Sequence, residues 1–222
     1  MLSFCKHTAW YLLAENVMIK HPTSSHSLRE ALCCERGYKR KKQPEQVRAA
    51  LIHSAAELAA LEGLTGVTVQ AVSAAAGVTK GGFFHHFPHK QALLDAVFES
   101  FLAENEQAID RVMAADEQSS GCFTRAYISV AFDDILQAEK SLRIPLSLSM
   151  MASPDLCERW SLWLAGRLQR HHETDSLPQH EVARLAADGA WLAYSLGNGR
   201  GIRDALSLKN ILLTLTRERP LS

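Results

Sequence analysis

A chain of 222 residues, 47% of them apolar, is long enough for one large domain or two small ones with a buried core. Its 24 Lys and Arg balance 24 Asp and Glu, and no apolar run reaches the roughly 20 residues that span a bilayer. Five cysteines, at 5, 33, 34, 122 and 157, show no zinc-like spacing, so free thiols in a reducing cytoplasm are the expectation, with no metal or other cofactor.

Residues 1–43 read as a mobile, partly basic extension. The stretch "AWYLLAENVMI" (9–19) is apolar but short, contains Glu15 and is followed by no small-residue cleavage site, so no signal peptide is expected. Met18 offers a shorter start, and "HPTSSHS" (21–27) is loop-like. The extension carries eight Lys and Arg against three Glu, concentrated in "RGYKRKK" (36–42). Such a run is usually a solvated tail, and beside a DNA-binding unit it adds phosphate or minor-groove contacts.

From Pro44, suited to a first helical position, the pattern turns helical. Val47, Leu51, Ala55 and Leu58 form one apolar stripe that ends at Gly63. "LTGVT" makes a turn, and Thr68 caps a short alanine-rich helix over 69–76. Gly77 ends that helix where a left-handed backbone costs glycine little. Thr79 caps a third helix to about His86, Pro88 breaks the chain, and a long helix runs over 89–113. Beyond it, amphipathic segments at 121–139, 141–152, 155–172, 179–197 and 203–217 are separated by Gly121, Pro154, Pro178 and "GNGRG" (197–201). The fold class is all-α, with about nine helices. The expected boundaries are an extension over 1–43, a helix-turn-helix domain over 44–90 and a helical domain over 91–222.

Two short helices joined by a glycine turn make a helix-turn-helix, whose second helix presents its N-terminal residues to base edges. Here those residues are Thr79, Lys80, Gly81 and Gly82. Each interior glycine costs about 1 kcal/mol relative to alanine. A helix built for stability alone would avoid both, whereas missing side chains let backbone N–H groups approach phosphate. Phe83 and Phe87, four apart, anchor the helix on the core. Phe84 and His85 point away from that pair toward a sugar-phosphate backbone, and Lys90 stands close by to meet phosphate.

Residues 47–98 resemble the N-terminal domain of the TetR/AcrR family of transcriptional regulators. The resemblance rests on Gly63, Thr68, Ala76-Gly77-Val78-Thr79, Gly81, Phe84, Phe87 and Lys90 standing in the family's order. Gly82 replaces a common Thr, Ser or Ala, and Phe84 replaces a common Tyr, so two hydroxyl contacts are missing. The resemblance implies a C-terminal half that binds a small effector and holds a homodimer, and no enzymatic activity.

The C-terminal sequence is compatible with both roles. Val182, Leu185, Gly189, Leu192 and Leu196 share one side of the 178–197 helix, and Leu208, Ile211, Leu212 and Leu215 group in the 203–217 helix. Paired with the same helices of a second copy, they would form a four-helix interface and set two reading heads about 34 Å apart on a two-fold symmetric operator. For an effector, Met150, Met151, Cys157, Trp160 and Trp163, with Tyr127, Trp191 and Tyr194, suit a pocket for a hydrophobic or aromatic molecule. Taken singly, each is more often core. Asp133 and Asp134 read as solvated surface rather than cation ligands, and His171, His172 and His180 close no metal site. The expected protein is a cytoplasmic one-component regulator with duplex DNA, a small effector and its own second copy as partners. The rival readings are a helical carrier or enzyme with an incidental helix-turn-helix and a nonspecific DNA-coating protein. No catalytic spacing favours the first, and the negative balance outside the extension opposes the second.

Overall fold

Caps, glycines and prolines cut the chain into the helices that amphipathic runs then build. The computed structural model describes the backbone of residues 27–197 and 199–217, and side chains from Pro44 onward. In order the helices are α1 (Ser27–Gly66), α2 (Val69–Ala75), α3 (Lys80–His86), α4 (Lys90–Ala114), α5 (Cys122–Leu136), α6 (Arg143–Met151), α7 (Pro154–Arg170), α8 (His172–Asp175), α9 (Pro178–Gly197) and α10 (Ala205–Leu215). A 3₁₀ turn spans Ala138–Lys140, and the described residues contain no strand. The chain divides into two units, Met1–Gln43 and Pro44–Ser222.

Helical backbone begins at Ser27, so Pro44, the first residue of the second unit, falls within the span of α1 rather than at its first turn. The residues before it are mostly good helix formers without an apolar stripe, which hides them from a periodicity reading. Of the extension read over residues 1–43, residues 1–26 lie outside the described residues, as do the side chains of the basic run 36–42.

In the second unit, Gly63 breaks the helical path of α1 with φ 74° and ψ 175°. Leu51, Ala55 and Ala59 of α1 are fully buried against Val67, Val72, Phe83 and Phe87. The same cluster continues through Leu93, Val97, Phe98 and Phe101 of α4 to Leu146, Met150 and Leu156 of α6 and α7. A second cluster packs Ile128 and Phe132 of α5 on the small face of α9, Ala183, Ala187 and Ala190, and on Leu212. Alanine there lets the helix axes approach closely.

Buried polar anchors close the far end of the bundle. The Arg125 guanidinium donates to Asp116 at 2.6 Å and to the carbonyls of Gln118, Ser120 and Thr216. It thereby ties the end of α10 to the start of α5, a buried charge with its partners in place. α5 begins at Gly121 without a side-chain cap of its own. Asp175 of α8 supplies one instead, accepting the Thr124 N–H at 2.7 Å and the Phe123 N–H at 3.4 Å. α8 is a single turn, and the sequence reading, which ended the preceding segment at residue 172, gave no helix to residues 173–175. His171 stacks on Phe123, 5.1 Å between centroids, and buried His180 places Nε2 3.2 Å from the Thr216 carbonyl. Both histidines are therefore part of the packing. No group of three or more metal-capable side chains occurs among the described residues.

The outer side of α9 and α10 stays apolar and exposed: Val182, Leu185, Leu192 and Leu196 on one helix, Leu206, Ile211 and Leu215 on the other. Two residues grouped there from sequence turn inward. Leu212 is buried and Leu208 packs beside it, because α10 must also cover α5. No described helix is long and apolar enough to cross a membrane.

Two left-handed glycines separate backbone strain from steric cost. At Gly77 (φ +67°) a Cβ would meet nothing within 4 Å, whereas at Gly121 (φ +72°) it would lie 2.8 Å from the Thr216 carbonyl and 2.9 Å from both Arg125 Nη1 and His180 Nε2. Urea denaturation should therefore show Gly77→Ala costing about 1–2 kcal/mol, and Gly121→Ala about 2–5 kcal/mol. Equal losses would contradict the packing described for the α5–α10 junction.

Candidate nucleic-acid interface and ligand cavity

α2 and α3 are each seven residues long, too short to persist alone in water, and both are defined by caps. Thr68 Oγ1 accepts the Ala71 N–H at 3.1 Å, and Thr79 Oγ1 accepts the Gly82 N–H at 3.0 Å. Each threonine keeps its hydroxyl proton for an outside acceptor. The N–H groups of Lys80 and Gly81, in the first turn of α3, have no carbonyl within reach inside the helix. Phe83 is fully buried and Phe87 nearly so, while Phe84 is 52% exposed. Phe84 rests edge-on against Phe83, with centroids 5.3 Å apart. Thr68, Thr79, Lys80, Gly81 and His85 are exposed as well, and Gly82 is half-buried.

The protein's own packing does not demand either glycine of α3. A Cβ at Gly81 would have Thr79 Oγ1 as its nearest neighbour, at 3.8 Å. One at Gly82 would sit 3.4 Å from the same oxygen and 3.6 Å from Val78 Cβ, ordinary contact distances. Neither residue has a left-handed backbone. The surface they leave is flat, donor-rich and flanked by Lys80. His86, by contrast, turns partly inward: burial lowers its imidazole below the usual histidine range, and His85 and Arg48 add to that. Arg48 also lies over the Phe87 ring, 5.2 Å from its centroid.

Lys90 differs from its sequence reading. Its Nζ donates to the Leu64 carbonyl at 2.8 Å, fastening the start of α4 to the end of α1. The Gly63 break turns that carbonyl toward α4, so at least one of the three ammonium donors serves the fold.

A cavity of about 400 Å³ opens among α4, α5, α6, α7 and α9. Of the residues read from sequence as ligand-binding, Tyr127, Met150, Met151, Trp160 and Trp191 line it together. Trp163 and Tyr194 do not. Trp163 lies behind Trp160, 4.8 Å between centroids, and donates its indole N–H to Glu106 at 3.1 Å. Tyr194 packs with the α9–α10 cluster, its ring 3.0 Å from where a Cβ on Gly199 would stand. Cys157 and Asp134 line it too, and so do Phe98, Phe101, Asn105 and Asp188, which were not singled out. For the α4 residues the missed signal was spacing: 98, 101, 105 and 109 lie on one helical face.

Both aspartates on the cavity wall accept a side-chain hydrogen bond. Tyr127 donates its hydroxyl proton to Asp188 at 2.6 Å, and Arg143 donates to Asp134 at 2.7 Å. Asp134 is thus not the solvated aspartate expected, because the turn before α6 brings Arg143 onto it. Burial raises Asp134 and Asp188 above the usual carboxylate range, opposed by Arg143 at the first and by Tyr127 and Arg184 at the second. Burial, then the Asp188 charge, raises the Tyr127 phenol well above its ordinary value.

Comparison with known proteins matches the same two regions. Residues 51–97 fit the model described as "Bacterial regulatory proteins, tetR family", and residues 121–217 fit "Tetracyclin repressor-like, C-terminal domain". The HTH-type transcriptional regulator BetI of Stenotrophomonas maltophilia is 29% identical over 157 residues, covering 62% of this chain and 76% of its own. The HTH-type transcriptional repressor KstR2 of Mycolicibacterium smegmatis is 28% identical over 92 residues, 40% of this chain and 45% of its own. Among solved structures, the multidrug binding protein EbrR complexed with malachite green aligns over 77% of this chain and 98% of its own, with TM-score 0.57 and 22% identity. The Streptomyces coelicolor regulator SCO7518 aligns over 78% and 99%, with TM-score 0.60 and 17% identity.

If the α3 glycines serve an outside surface, stability and binding should respond in opposite senses. Gly81→Ala and Gly82→Ala should hold or raise the melting temperature, each gaining up to about 1 kcal/mol, while weakening retention of duplex DNA in a gel shift. A variant that melts earlier and keeps wild-type DNA binding would show that the glycines serve the fold.

Proposed function

The chain belongs to the TetR family of DNA-binding transcriptional regulators, and from that premise we propose a one-component repressor that releases a palindromic operator when a small hydrophobic or aromatic molecule enters the α4–α9 cavity. The observation that carries this reading is one apolar cluster joining head to cavity. Phe98, Phe101, Met150 and Leu156 line the cavity and belong to the same cluster as Leu51, Phe83 and Phe87 beneath α3. Ser149 of α6 also donates to the Ala59 carbonyl of α1 at 2.6 Å. A ligand that displaces Met150 or Phe101 therefore acts on the surface that carries α1 and, through it, the reading helix. Close-packed interiors respond to such displacement by switching arrangement rather than by yielding smoothly. A ligand that binds the released arrangement more tightly by a few kcal/mol is sufficient.

Supporting the homodimer, the exposed row Val182, Leu185, Leu192 and Leu196 flanks Gly189, where a Cβ would meet nothing within 4 Å. A second α9 could approach closely there, with Ile211 and Leu215 of α10 extending the same surface. The cytoplasm, where the chromosome lies, is the compartment this activity requires. KstR2 is named a repressor and EbrR was solved with a small dye; both fit the reading and neither fixes this chain's effector.

The test is a gel-shift competition with DNA from upstream of the protein's own gene. That duplex should outcompete unrelated DNA, with affinity falling as salt rises. Leu196→Asp with Ile211→Asp should yield folded monomers in light scattering and about a hundredfold weaker operator binding, since the second head no longer adds to the first. Monomers that bind as well as wild type would remove the dimeric-operator reading. Equal affinity for every duplex would remove the regulator's specificity.

A further inference from the structure

The cavity's hydrogen-bond donors decide what kind of molecule it takes. No Lys, Arg or His lines it, and two aspartates do. Its hydroxyl and amide donors point into the protein, which leaves the neutral indole N–H groups of Trp160 and Trp191 as the donors without an acceptor on the wall. Tyr127 donates to Asp188 at 2.6 Å, Ser147 to the Arg143 carbonyl at 2.9 Å, Ser161 to the Cys157 carbonyl at 3.0 Å and Asn105 Nδ2 to the Phe101 carbonyl at 3.1 Å. An anionic group would enter an apolar space that holds two carboxylates and find only neutral indole donors to replace its water, a penalty of several kcal/mol. A cation meets the reverse: the aromatic walls of Trp160 and Trp191, whose π-systems attract positive charge, and a carboxylate, while Phe98 and Phe101 each already carry a guanidinium, Arg159 at 4.6 Å and Arg143 at 4.9 Å from the ring centroids.

Asp188 and Asp134 differ as partners for that cation. Asp134 is held by Arg143, which also reaches Glu104 and Asn105. At Asp188, Oδ1 accepts the Tyr127 hydroxyl, but Oδ2 has Arg184 Nη1 at 3.8 Å, beyond hydrogen-bond range. Arg184 itself does not line the cavity, while Asp188 does, with its side chain 40% exposed. Tyr127 thus holds one oxygen of a cavity-lining carboxylate, and the other has no hydrogen-bond donor, only the Arg184 charge 3.8 Å away.

We propose that this cavity selects a hydrophobic or aromatic cation, with the Asp188 carboxylate as its counter-charge, Tyr127 as the residue that positions it, and the rings of Trp160 and Trp191 as the walls. The inference rests on the reading of the cavity as the effector site and narrows its ligand by charge. Burial disfavours the charged form of Asp188, opposed by the Tyr127 hydrogen bond and the Arg184 charge, and an entering cation adds to that compensation.

Three probes of defined charge test it on the full-length protein: tetraphenylphosphonium, its anionic isostere tetraphenylborate, and neutral N-phenyl-1-naphthylamine. Calorimetry or dye fluorescence should show the phosphonium binding at least about tenfold tighter than the borate, because the two differ in charge and not in shape. Asp188→Asn keeps an oxygen for the Tyr127 hydroxyl. It should weaken phosphonium binding by about tenfold or more and leave the neutral dye unchanged, which also shows that the variant is folded. Borate binding as tightly as phosphonium, or an Asp188→Asn variant with wild-type phosphonium affinity, overturns the cation assignment. Neutral dye bound without phosphonium also overturns it and leaves the effector cavity standing. If none of the three binds, the effector cavity itself fails and the cation assignment fails with it.

Discussion

The reading helix exists because two phenylalanines bury beneath it. α3 has seven residues, two of them glycines, and no intrinsic reason to hold its shape. Burying Phe83 and Phe87 contributes roughly 1.5–3 kcal/mol each, and the Thr79 cap adds about 1 kcal/mol. With that anchorage the outer turn needs no stabilising side chains. It leaves backbone, Lys80 and the Phe84 ring exposed, so stability is drawn from one side of the helix and the proposed recognition would use the other.

The anchorage also makes the head sensitive to the rest of the molecule. Phe83 and Phe87 do not sit in a private core. Their cluster runs through Val97, Phe98 and Phe101 of α4 to Met150 and Leu156, where it becomes the cavity wall. The Lys90 ammonium on the Leu64 carbonyl and the Ser149 hydroxyl on the Ala59 carbonyl clamp α4 and α6 to α1 at two separate places. At the opposite end, Arg125, Asp175 and His180 hold α5, α8, α9 and the end of α10 as a rigid block. Under the proposed function, a cavity wall held on one side and shared with the head on the other would pass a change in its contents toward the head.

Helix boundaries from α2 to α10 were largely legible in the sequence, because each is marked by a residue with a distinct backbone role: Thr68, Gly77, Thr79, Gly121, Pro154 and Pro178. The head was legible for the same reason, and its exposed residues stand where spacing put them. What the sequence did not show was long-range pairing. Nothing local to Lys90 reveals the Leu64 carbonyl, and nothing in "GCFTRAYIS" reveals that Arg125 is enclosed by carbonyls from residues 118, 120 and 216. The cavity was half legible. Residue type pointed to Tyr127, Met150, Trp160 and Trp191, but Trp163 and Tyr194 have the same chemistry and face elsewhere, since helix rotation decides what a ring lines. Asp188, placed in an alanine-rich helix, became visible as a cavity group only once Tyr127 was found beside it.

The most direct measurement of the central claim is amide hydrogen exchange across the whole protein, with and without duplex DNA from upstream of its gene. The account predicts that added DNA slows exchange most at Lys80 and Gly81, whose N–H groups have no acceptor inside α3, with a lesser effect near Thr68 and none on the outer face of α9. Unchanged exchange at Lys80 and Gly81, with protection appearing elsewhere on the bundle, would contradict it.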